Sequence, residues 1–260
     1  MKPVDFFIIG VQKGGTTALD AYLRRSPTVH MADVKEVHFF DDESLDWVAP
    51  SYQSLHAHFE WSPSFECVRG EATPIYIYWP GALERIRRYN PAAKLIVLLR
   101  HPSHRAHSHW RMATKRGIET LSLDNAISDA GRSRVRHGQP GIRVFSYVER
   151  GFYAPQIRRL KELFPPEQLL FLRTDDLWER PAQTLGRVHA FLRVEMSVAP
   201  TPAYTVPLPN DSAAMPGEAL RRLNEIFAKD IEETGRLTNL ALDDWLRPAY
   251  CEPMTPDQAA

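Results

Sequence analysis

The sequence has few cysteines, few lysines and no excess charge of either sign. The two cysteines, Cys67 and Cys251, are too few for a disulfide-stapled fold and match no zinc-ligand spacing. Lys+Arg and Asp+Glu are equal at 32 each, so no global field favours nucleic acid as a partner. Only 7 of the basic residues are lysines, which makes the position of each lysine informative.

Long apolar runs, internal repeats and low-complexity segments are also missing. The longest apolar runs, such as Phe6–Gly10 and Leu95–Leu99, are too short to cross a membrane. The N-terminal residues show no signal-peptide pattern. With 43% hydrophobic and 25% charged residues, the composition is typical of a folded globular protein. We therefore expect a cytoplasmic protein without a membrane span.

Short buried strands alternate with helices along the chain. The pattern predicts strands over Val4–Val11, Lys94–Leu99 and Gln168–Leu172. It predicts helices over Thr17–Arg25, Gly151–Phe164, Pro181–Leu192 and Gly217–Thr234, and a further helix with Pro102 in its first turn. This alternation favours an α/β fold, a P-loop-like parallel sheet flanked by helices, in a single domain over residues 1–247. The proline-rich segment 199–216 is predicted to be a lid loop, and 248–260 a C-terminal tail.

A glycine-rich loop, Gly10-Val-Gln-Lys-Gly-Gly-Thr-Thr17, lies between the first predicted strand and the first helix. Consecutive glycines let backbone N–H groups face an anion, and the helix start adds its positive dipole end. A Walker A loop has lysine directly after its last glycine, but here Thr16 follows Gly15 and the lysine is Lys13. The loop therefore predicts phosphate binding without β–γ bond hydrolysis. The alternative is a glycine-rich turn with an exposed lysine.

Several segments in the same order resemble sulfotransferases that use 3′-phosphoadenosine 5′-phosphosulfate (PAPS). The resemblance is strongest to the heparan sulfate sulfotransferase branch and its bacterial relatives, and it covers roughly residues 4–193. The segments are Phe6–Leu19, Lys35–Phe40, Gly70–Pro74, Leu98–Ser108, Gly151–Tyr153 with Phe164-Pro165, and Leu172–Leu177. The resemblance implies the sulfotransferase fold, PAPS as the sulfate donor, 3′-phosphoadenosine 5′-phosphate (PAP) as the product, and no metal.

The resemblance also implies roles for individual residues in binding the cofactor. Lys13 would stabilise the leaving phosphate, and Arg100 with Ser108 would bind the 3′-phosphate. Tyr153 is a candidate for the adenine pocket, with a core aromatic as the alternative. The full set of predicted cofactor contacts is Lys13, Gly14, Gly15, Thr16, Thr17, Ala18, Arg100, Ser108 and Tyr153.

Two residues are candidates for the general base. The resemblance places the family's catalytic glutamate at Glu71, a suitable base if burial raises its pKa toward the working pH. His38 is the rival, because cytosolic relatives of the wider superfamily use histidine; otherwise it is a packed core residue. Lys35 and His38 are predicted substrate contacts. Ala72 stands where many family members have lysine, which leaves the acceptor preference open.

Four histidines form a cluster in the sequence, at His101, His104, His107 and His109. Their spacing does not give a ligand pair on one helix face with a distant third ligand, so we predict no metal site. A basic helix that faces an anionic cofactor, or a solvated helix face, explains the cluster better.

The sequence thus predicts a sulfotransferase that modifies a hydroxyl group, or less favourably an amine. Zero net charge makes a long polyanionic glycan a poor acceptor. A bacterial natural product of secondary metabolism, a glycolipid or another small hydroxylated molecule fits better. The alternatives are a small-molecule kinase with an unusual phosphate loop and a non-catalytic nucleotide-binding module.

Overall fold

The computed structural model describes residues 2–61, 67–136, 139–196 and 215–253. Within these ranges the strands are β1 (Phe6–Gly10), β2 (Val29–Met31), β3 (Val68–Ala72), β4 (Lys94–Leu99) and β5 (Leu169–Arg173). The helices are α1 (Thr16–Leu23), α2 (Gln53–His56), α3 (Ala82–Tyr89), α4 (Pro102–Lys115), α5 (Leu123–Ala126), α6 (Asp129–Ser133), α7 (Gln139–Phe145), α8 (Tyr153–Leu163), α9 (Thr174–Glu179), α10 (Pro181–Leu192) and α11 (Gly217–Thr238). Short 3-10 turns cover Arg134–Arg136, Glu149–Gly151, Pro166–Gln168 and Asp243–Leu246.

The five strands form one parallel sheet in the order β2-β3-β1-β4-β5. The central strand β1 is buried along its whole length and pairs with β3 and β4, with Phe7 opposite Glu71 and Leu95. A strand that is buried on both faces needs a continuous apolar run, and β1 could be predicted because the sequence contains such a run. The α/β fold with a parallel sheet is confirmed. The loops after β1 and β3 leave the same edge of the sheet, at neighbouring strand ends.

Several predicted elements agree with the structure to within a few residues. β4 and α10 have the predicted bounds, and α4 begins at Pro102 as expected for proline in a first turn. The strand β2 was not predicted, because its three residues are too few to show a periodic pattern. The helix α3 was not predicted either; it begins after Gly81, whose φ of 84° lies in the left-handed region.

The described chain divides into two compact units. Unit 1 contains the described residues of 1–99, 159–206 and 253–260, and unit 2 contains those of 100–158 and 207–252. The core of unit 1 joins apolar side chains of the sheet to those of α1 and α10, among them Ile8, Leu19, Ile96, Leu185 and Val188. In unit 2, α11 buries Leu223, Phe227 and Ile231, and Trp245 is also buried. One domain over residues 1–247 stays a prediction.

Part of the predicted organisation falls outside the described ranges. The lid at 199–216 lies outside the described residues except for its last two positions, and the tail lies outside them from residue 254 onward. Among the helices within the described ranges, none combines the length and the apolar composition needed to cross a membrane.

Candidate active site

The glycine-rich loop makes a tight turn at the carboxyl end of β1. Lys13 and Gly15 have φ values of 66° and 85°, and the N–H of Gly14 donates to the Val11 carbonyl at 2.9 Å. A Cβ atom added to Gly14 would lie 2.7 Å from the Leu98 carbonyl oxygen, so only glycine fits at this position. The turn is therefore fixed by backbone packing.

The donors of this loop suit a phosphate group. α1 begins at Thr16, and its N-cap residue Gly15 makes no side-chain capping hydrogen bond. The first N–H groups of the helix, together with its dipole, favour an anion at this end. Lys13 is half-buried, Thr16 is buried and Thr17 is exposed. The predicted 5′-phosphate residues thus share one turn that combines a cation, hydroxyl groups and a helix start.

Thr174, which directly follows β5, supports this loop and was not predicted as a site residue. Its side chain is buried, and its hydroxyl lies 2.7 Å from the Gly14 carbonyl oxygen and 3.0 Å from that of Leu99. A hydroxyl has one proton, so the two carbonyls share a single donor. The available signal was a polar residue directly after a strand, at the edge where parallel strands place their ligand sites.

An irregular segment, residues 35–38, is held by β3 and the residues that follow it. Glu36 and His38 have φ values of 62° and 58°, in the left-handed region that non-glycine residues rarely occupy. The N–H of Glu36 donates to the Ala72 carbonyl at 3.1 Å, and the N–H of His38 donates to the Thr73 hydroxyl at 3.3 Å. Strained residues of this kind persist only where surrounding contacts impose them.

Glu71 faces the interior of unit 1. Its side chain is 0% exposed, and Oε1 accepts hydrogen bonds from the Val37 N–H at 3.2 Å and from the Thr73 hydroxyl. Its Oε2 is buried and makes no hydrogen bond with any described residue. Burial raises the pKa of Glu71 to about 7, although these two hydrogen bonds act in the opposite direction. Glu71 thus holds the 35–38 segment through the Val37 N–H.

Four charged residues of the same segment form a connected cluster, which we call the ion cluster: Lys35, Glu36, His38 and Asp41. Lys35 Nζ lies 2.6 Å from Glu36 Oε1, and His38 Nε2 lies 3.4 Å from Glu36 Oε2. The Nδ1–H of His38 donates to Asp41 Oδ2 at 3.0 Å, and Asp41 is fully buried. The side chains of Glu36 and His38 are 35% and 44% exposed.

The ion cluster fixes the charge of its two partly exposed members, Glu36 and His38. Hydrogen bonds with Asp41 and Glu36 raise the pKa of His38 to about 9. Burial acts to raise the pKa of Glu36, but the hydrogen bond from His38 and the charge of Lys35 outweigh it and lower that pKa to about 2. At neutral pH Glu36 is ionised and His38 is protonated, so His38 as it stands cannot accept a proton.

The structure therefore brings the predicted residues Lys35, His38 and Glu71 together around one irregular segment, residues 35–38. Glu36 and Asp41 were not predicted as site residues, although Glu36 lies in the Lys35–Phe40 segment that carries the family resemblance and Asp41 directly follows it. The missed signal was the alternation of acidic and basic residues within this short segment.

In unit 2, Arg100 directly follows the last residue of β4 and forms a bidentate ion pair with Glu252. Its Nε and Nη2 each lie 2.6 Å from one carboxylate oxygen of Glu252. Tyr153 is fully buried and donates its hydroxyl to the Arg100 carbonyl at 2.8 Å, which fixes the backbone at Arg100. Ser108 is half-buried on α4. Tyr153 as an adenine contact and Ser108 as a phosphate contact stay predictions.

Two histidines of the predicted cluster, His101 and His104, contact each other in unit 2 with ring centroids 5.1 Å apart, and the other two do not join them as a ligand set. His101 accepts from the Ser103 N–H at 3.3 Å through Nδ1 and donates to the Trp245 carbonyl at 3.0 Å through Nε2. Burial lowers the pKa of His101 to about 4, which agrees with this neutral form. His109 packs edge-on against Tyr147, with ring centroids 4.8 Å apart. Within the described ranges, no three residues of the metal-ligating types form a site.

The buried position of Glu71 predicts a measurable pH dependence of stability. Because the folded pKa of about 7 lies above the ordinary 4.5, the contribution of Glu71 to stability is complete below pH 4.5 and is lost as the pH rises through 7. Between pH 5 and pH 9 the wild type should lose about 3 kcal/mol of unfolding free energy relative to Glu71→Gln. Urea unfolding at each pH measures this difference.

Glu167→Gln, which changes an exposed glutamate of unit 1, is the control and should change little with pH relative to the wild type. A difference between Glu71→Gln and the wild type that stays constant from pH 5 to pH 9 would contradict the assignment.

Comparison with known proteins adds family relationships to this geometry. The sulfotransferase domain family matches residues 3–204. The human protein named heparan sulfate glucosamine 3-O-sulfotransferase 6 is 33% identical over 195 residues, which are 74% of this chain and 52% of that protein. Human heparan sulfate glucosamine 3-O-sulfotransferase 3B1 is 33% identical over 190 residues, 71% of this chain and 45% of that protein. The chain thus spans about half the length of the curated relatives it matches.

Solved structures agree with the fold. A sulfotransferase from Alicyclobacillus acidocaldarius superposes with a TM-score of 0.80 and 26% identity, covering 95% of this chain and 100% of that one. The mouse sulfotransferase SULT7A1, solved in complex with PAP, has a TM-score of 0.53 and 12% identity, covering 93% of this chain and 90% of that one. The second similarity concerns the fold alone.

Proposed function

The chain belongs to the sulfotransferase domain family, and from this premise we propose that it transfers a sulfuryl group from PAPS to a hydroxyl group. The observation that carries the proposal is that two candidate binding segments lie at neighbouring strand ends. One is the phosphate-binding turn with Lys13 after β1, and the other is the charged 35–38 segment held at the end of β3. The first suits an anionic donor, and the second offers an ionised carboxylate for the proton of the acceptor.

The residues of the phosphate-binding turn fit the phosphosulfate end of PAPS. Gly14 and Gly15 have no side chains that would block an approaching anion, and Thr16, Thr17 and Ala18 form the first turn of helix α1. When bound, PAPS supplies a sulfuryl group whose bond to the phosphate oxygen breaks as the acceptor oxygen bonds to sulfur, with PAP as the product. Lys13 would neutralise the negative charge that grows on that phosphate oxygen, as a compact ammonium suits a point charge.

The proton of the acceptor hydroxyl needs a base that the acceptor can reach. Glu71, the predicted base, has a suitable pKa but no exposed surface. Glu36 is accessible and ionised. A general base must first be within reach of the proton that it takes, whatever its pKa, so we propose Glu36 as the proton acceptor. Glu71 would then act as a positioning residue that holds the Val37 N–H.

The low pKa of Glu36 makes it a weak base while two cations hold it. Lys35 and His38 are also cations that an anionic donor would attract. As either moves away from Glu36, the carboxylate loses a stabilising charge and its pKa rises, which strengthens it as a base. Lys35 and His38 would thereby link binding of the donor to proton transfer from the acceptor.

Arg100 and Ser108 are proposed to bind the 3′-phosphate of PAPS. The guanidinium of Arg100 already holds a carboxylate through two parallel hydrogen bonds, and phosphate offers the same geometry. We also propose that the acceptor is a small hydroxylated molecule such as a natural product or glycolipid, in keeping with the zero net charge. The two free thiols are consistent with a reducing cytoplasm.

The cofactor assignment is tested by the thermal shift that nucleotides produce. PAP should raise the melting temperature more than ADP or ATP does, because only PAP carries a 3′-phosphate for Arg100. In Arg100→Ala most of this preference should disappear, since a charge-assisted contact contributes about 1.5–3 kcal/mol. Equal shifts with all three nucleotides would count against the proposal.

Activity itself is tested with sulfur-35-labelled PAPS and a panel of hydroxylated acceptors. Transfer of the label to an acceptor supports the sulfotransferase assignment. Turnover of ATP with Mg²⁺ and no transfer from PAPS would favour the kinase alternative. PAP binding without transfer to any acceptor would favour a nucleotide-binding module.

A further inference from the structure

The C-terminal segment of unit 2 places an acidic side chain on the arginine that we assign to the 3′-phosphate. Glu252 lies 152 positions after Arg100, and both of its carboxylate oxygens are 2.6 Å from guanidinium nitrogens. The side chains of Arg100 and Glu252 are only 17% and 14% exposed. A bidentate carboxylate uses the fork of N–H donors that a phosphate would use. One guanidinium edge cannot hold both anions in this way.

Further contacts hold the segment against the start of α4. The ring of Tyr250 stacks on His101 with centroids 4.7 Å apart and an angle of 18° between the planes. His101 in turn donates to the carbonyl of Trp245, which is buried in unit 2. His104 Nδ1 lies 3.9 Å from Glu252 Oε2. Contacts with Arg100, His101 and His104 therefore hold the segment that carries Glu252 in place.

We propose that Glu252 is a built-in competitor for the 3′-phosphate, which holds Arg100 in the free protein and leaves it when PAPS or PAP binds. This inference rests on the proposed function, because it takes Arg100 as the 3′-phosphate residue. Glu252 keeps a nearly buried guanidinium paired, which spares the free protein an uncompensated charge. It also lowers the affinity for the cofactor, since only the fraction of molecules with a released Arg100 can bind the 3′-phosphate.

The same competition would help the product to leave. PAP retains the 3′-phosphate after transfer, so tight binding at Arg100 would slow its release. Glu252 can return to Arg100 as the phosphate leaves, so the guanidinium is paired both before and after the reaction. Product release limits turnover in many enzymes, and a returning carboxylate would act on that step.

The test compares two nucleotides that differ only in the 3′-phosphate, PAP and AMP, by calorimetry. In Glu252→Gln the dissociation constant of PAP should fall by about tenfold or more, because the charged competitor is gone. The dissociation constant of AMP should not change. The matched control is Glu233→Gln, which removes a carboxylate from another arginine pair of unit 2, with Arg158, and should leave both constants unchanged.

Unchanged or weaker PAP binding in Glu252→Gln would overturn the proposal and leave Glu252 a structural partner of Arg100. A wild type that binds PAP and AMP equally, with no effect of Arg100→Ala, would instead overturn the assignment of Arg100. The two failures are therefore distinguishable.

A second measurement covers the case in which Glu252→Gln does not fold. The exposed Cys251, next to Glu252, is labelled with an environment-sensitive fluorophore in a Cys67→Ser background. PAP should change the emission and AMP should not. An emission that responds equally to the two nucleotides, or to neither, would contradict displacement of Glu252 by the 3′-phosphate.

Discussion

Replacement of Glu36 by glutamine should lower turnover by about 10²–10⁴-fold without weakening the binding of PAP. Glutamine keeps the size of the side chain but cannot take a proton from the acceptor. The substitution also removes the carboxylate that Lys35 and His38 share. Because this removes a negative charge, it should not weaken the binding of an anion such as PAP. Steady-state kinetics with one confirmed acceptor, together with calorimetry of PAP, measure the two quantities separately.

Two further variants make this prediction specific. Glu43→Gln is the matched control, because Glu43 is also a partly exposed glutamate in an ion pair of unit 1, with Arg85, and it should retain normal turnover. Glu71→Gln should lose less than Glu36→Gln, since the glutamine oxygen can still accept from the Val37 N–H. If instead Glu71→Gln loses more than 10²-fold and Glu36→Gln is nearly normal, Glu71 is the base after all.

Replacement of Lys13 by methionine should lower both turnover and affinity. Methionine keeps the unbranched shape and most of the length of the side chain but removes its charge, so the growing charge on the phosphate oxygen is left without this cation. Loss of such a group lowers turnover by about 10²–10³-fold in comparable sites. PAP binding should also weaken by about tenfold or more, because a hydrogen bond between charged groups is lost. Turnover and calorimetry again give the two effects.

Lys13→Met thus differs from Glu36→Gln in binding while it agrees in lost rate. The control is Lys115→Met, which changes an exposed lysine at the end of α4 and should have neither effect. If Lys13→Met keeps normal turnover, the loop does not stabilise the leaving group, and the role of Lys13 in the reaction is wrong.

Much of the fold could be predicted because a few local patterns decide it. β4 is a run of apolar residues long enough to be a buried strand, and Pro181 marks the start of α10 as proline does in first turns. The glycine loop could be predicted for a similar reason, since a position such as Gly14 that has no room for a Cβ atom requires glycine in the sequence. Such features depend on neighbours a few positions away.

The parts that could not be predicted depend on burial and on distant partners. Glu71 and Glu36 are both glutamates near strand β3 in the fold, but the sequence does not show that one is enclosed and the other accessible. The left-handed backbone at Glu36 also has no sequence signal, because glutamate seldom adopts it. The pairing of Arg100 with Glu252 spans 152 positions and follows only from the folded unit.

The shared hydroxyl proton of Thr174 has a consequence for how the phosphate turn meets its ligand. One side chain ties the carbonyl of Gly14 to that of Leu99, so the turn after β1 is braced by the ends of β4 and β5. A turn braced in this way is preorganised: its N–H groups lose little conformational entropy when an anion arrives. Any conformational change that accommodates different donors or acceptors then has to occur in other segments of the chain, while the phosphate turn keeps its conformation.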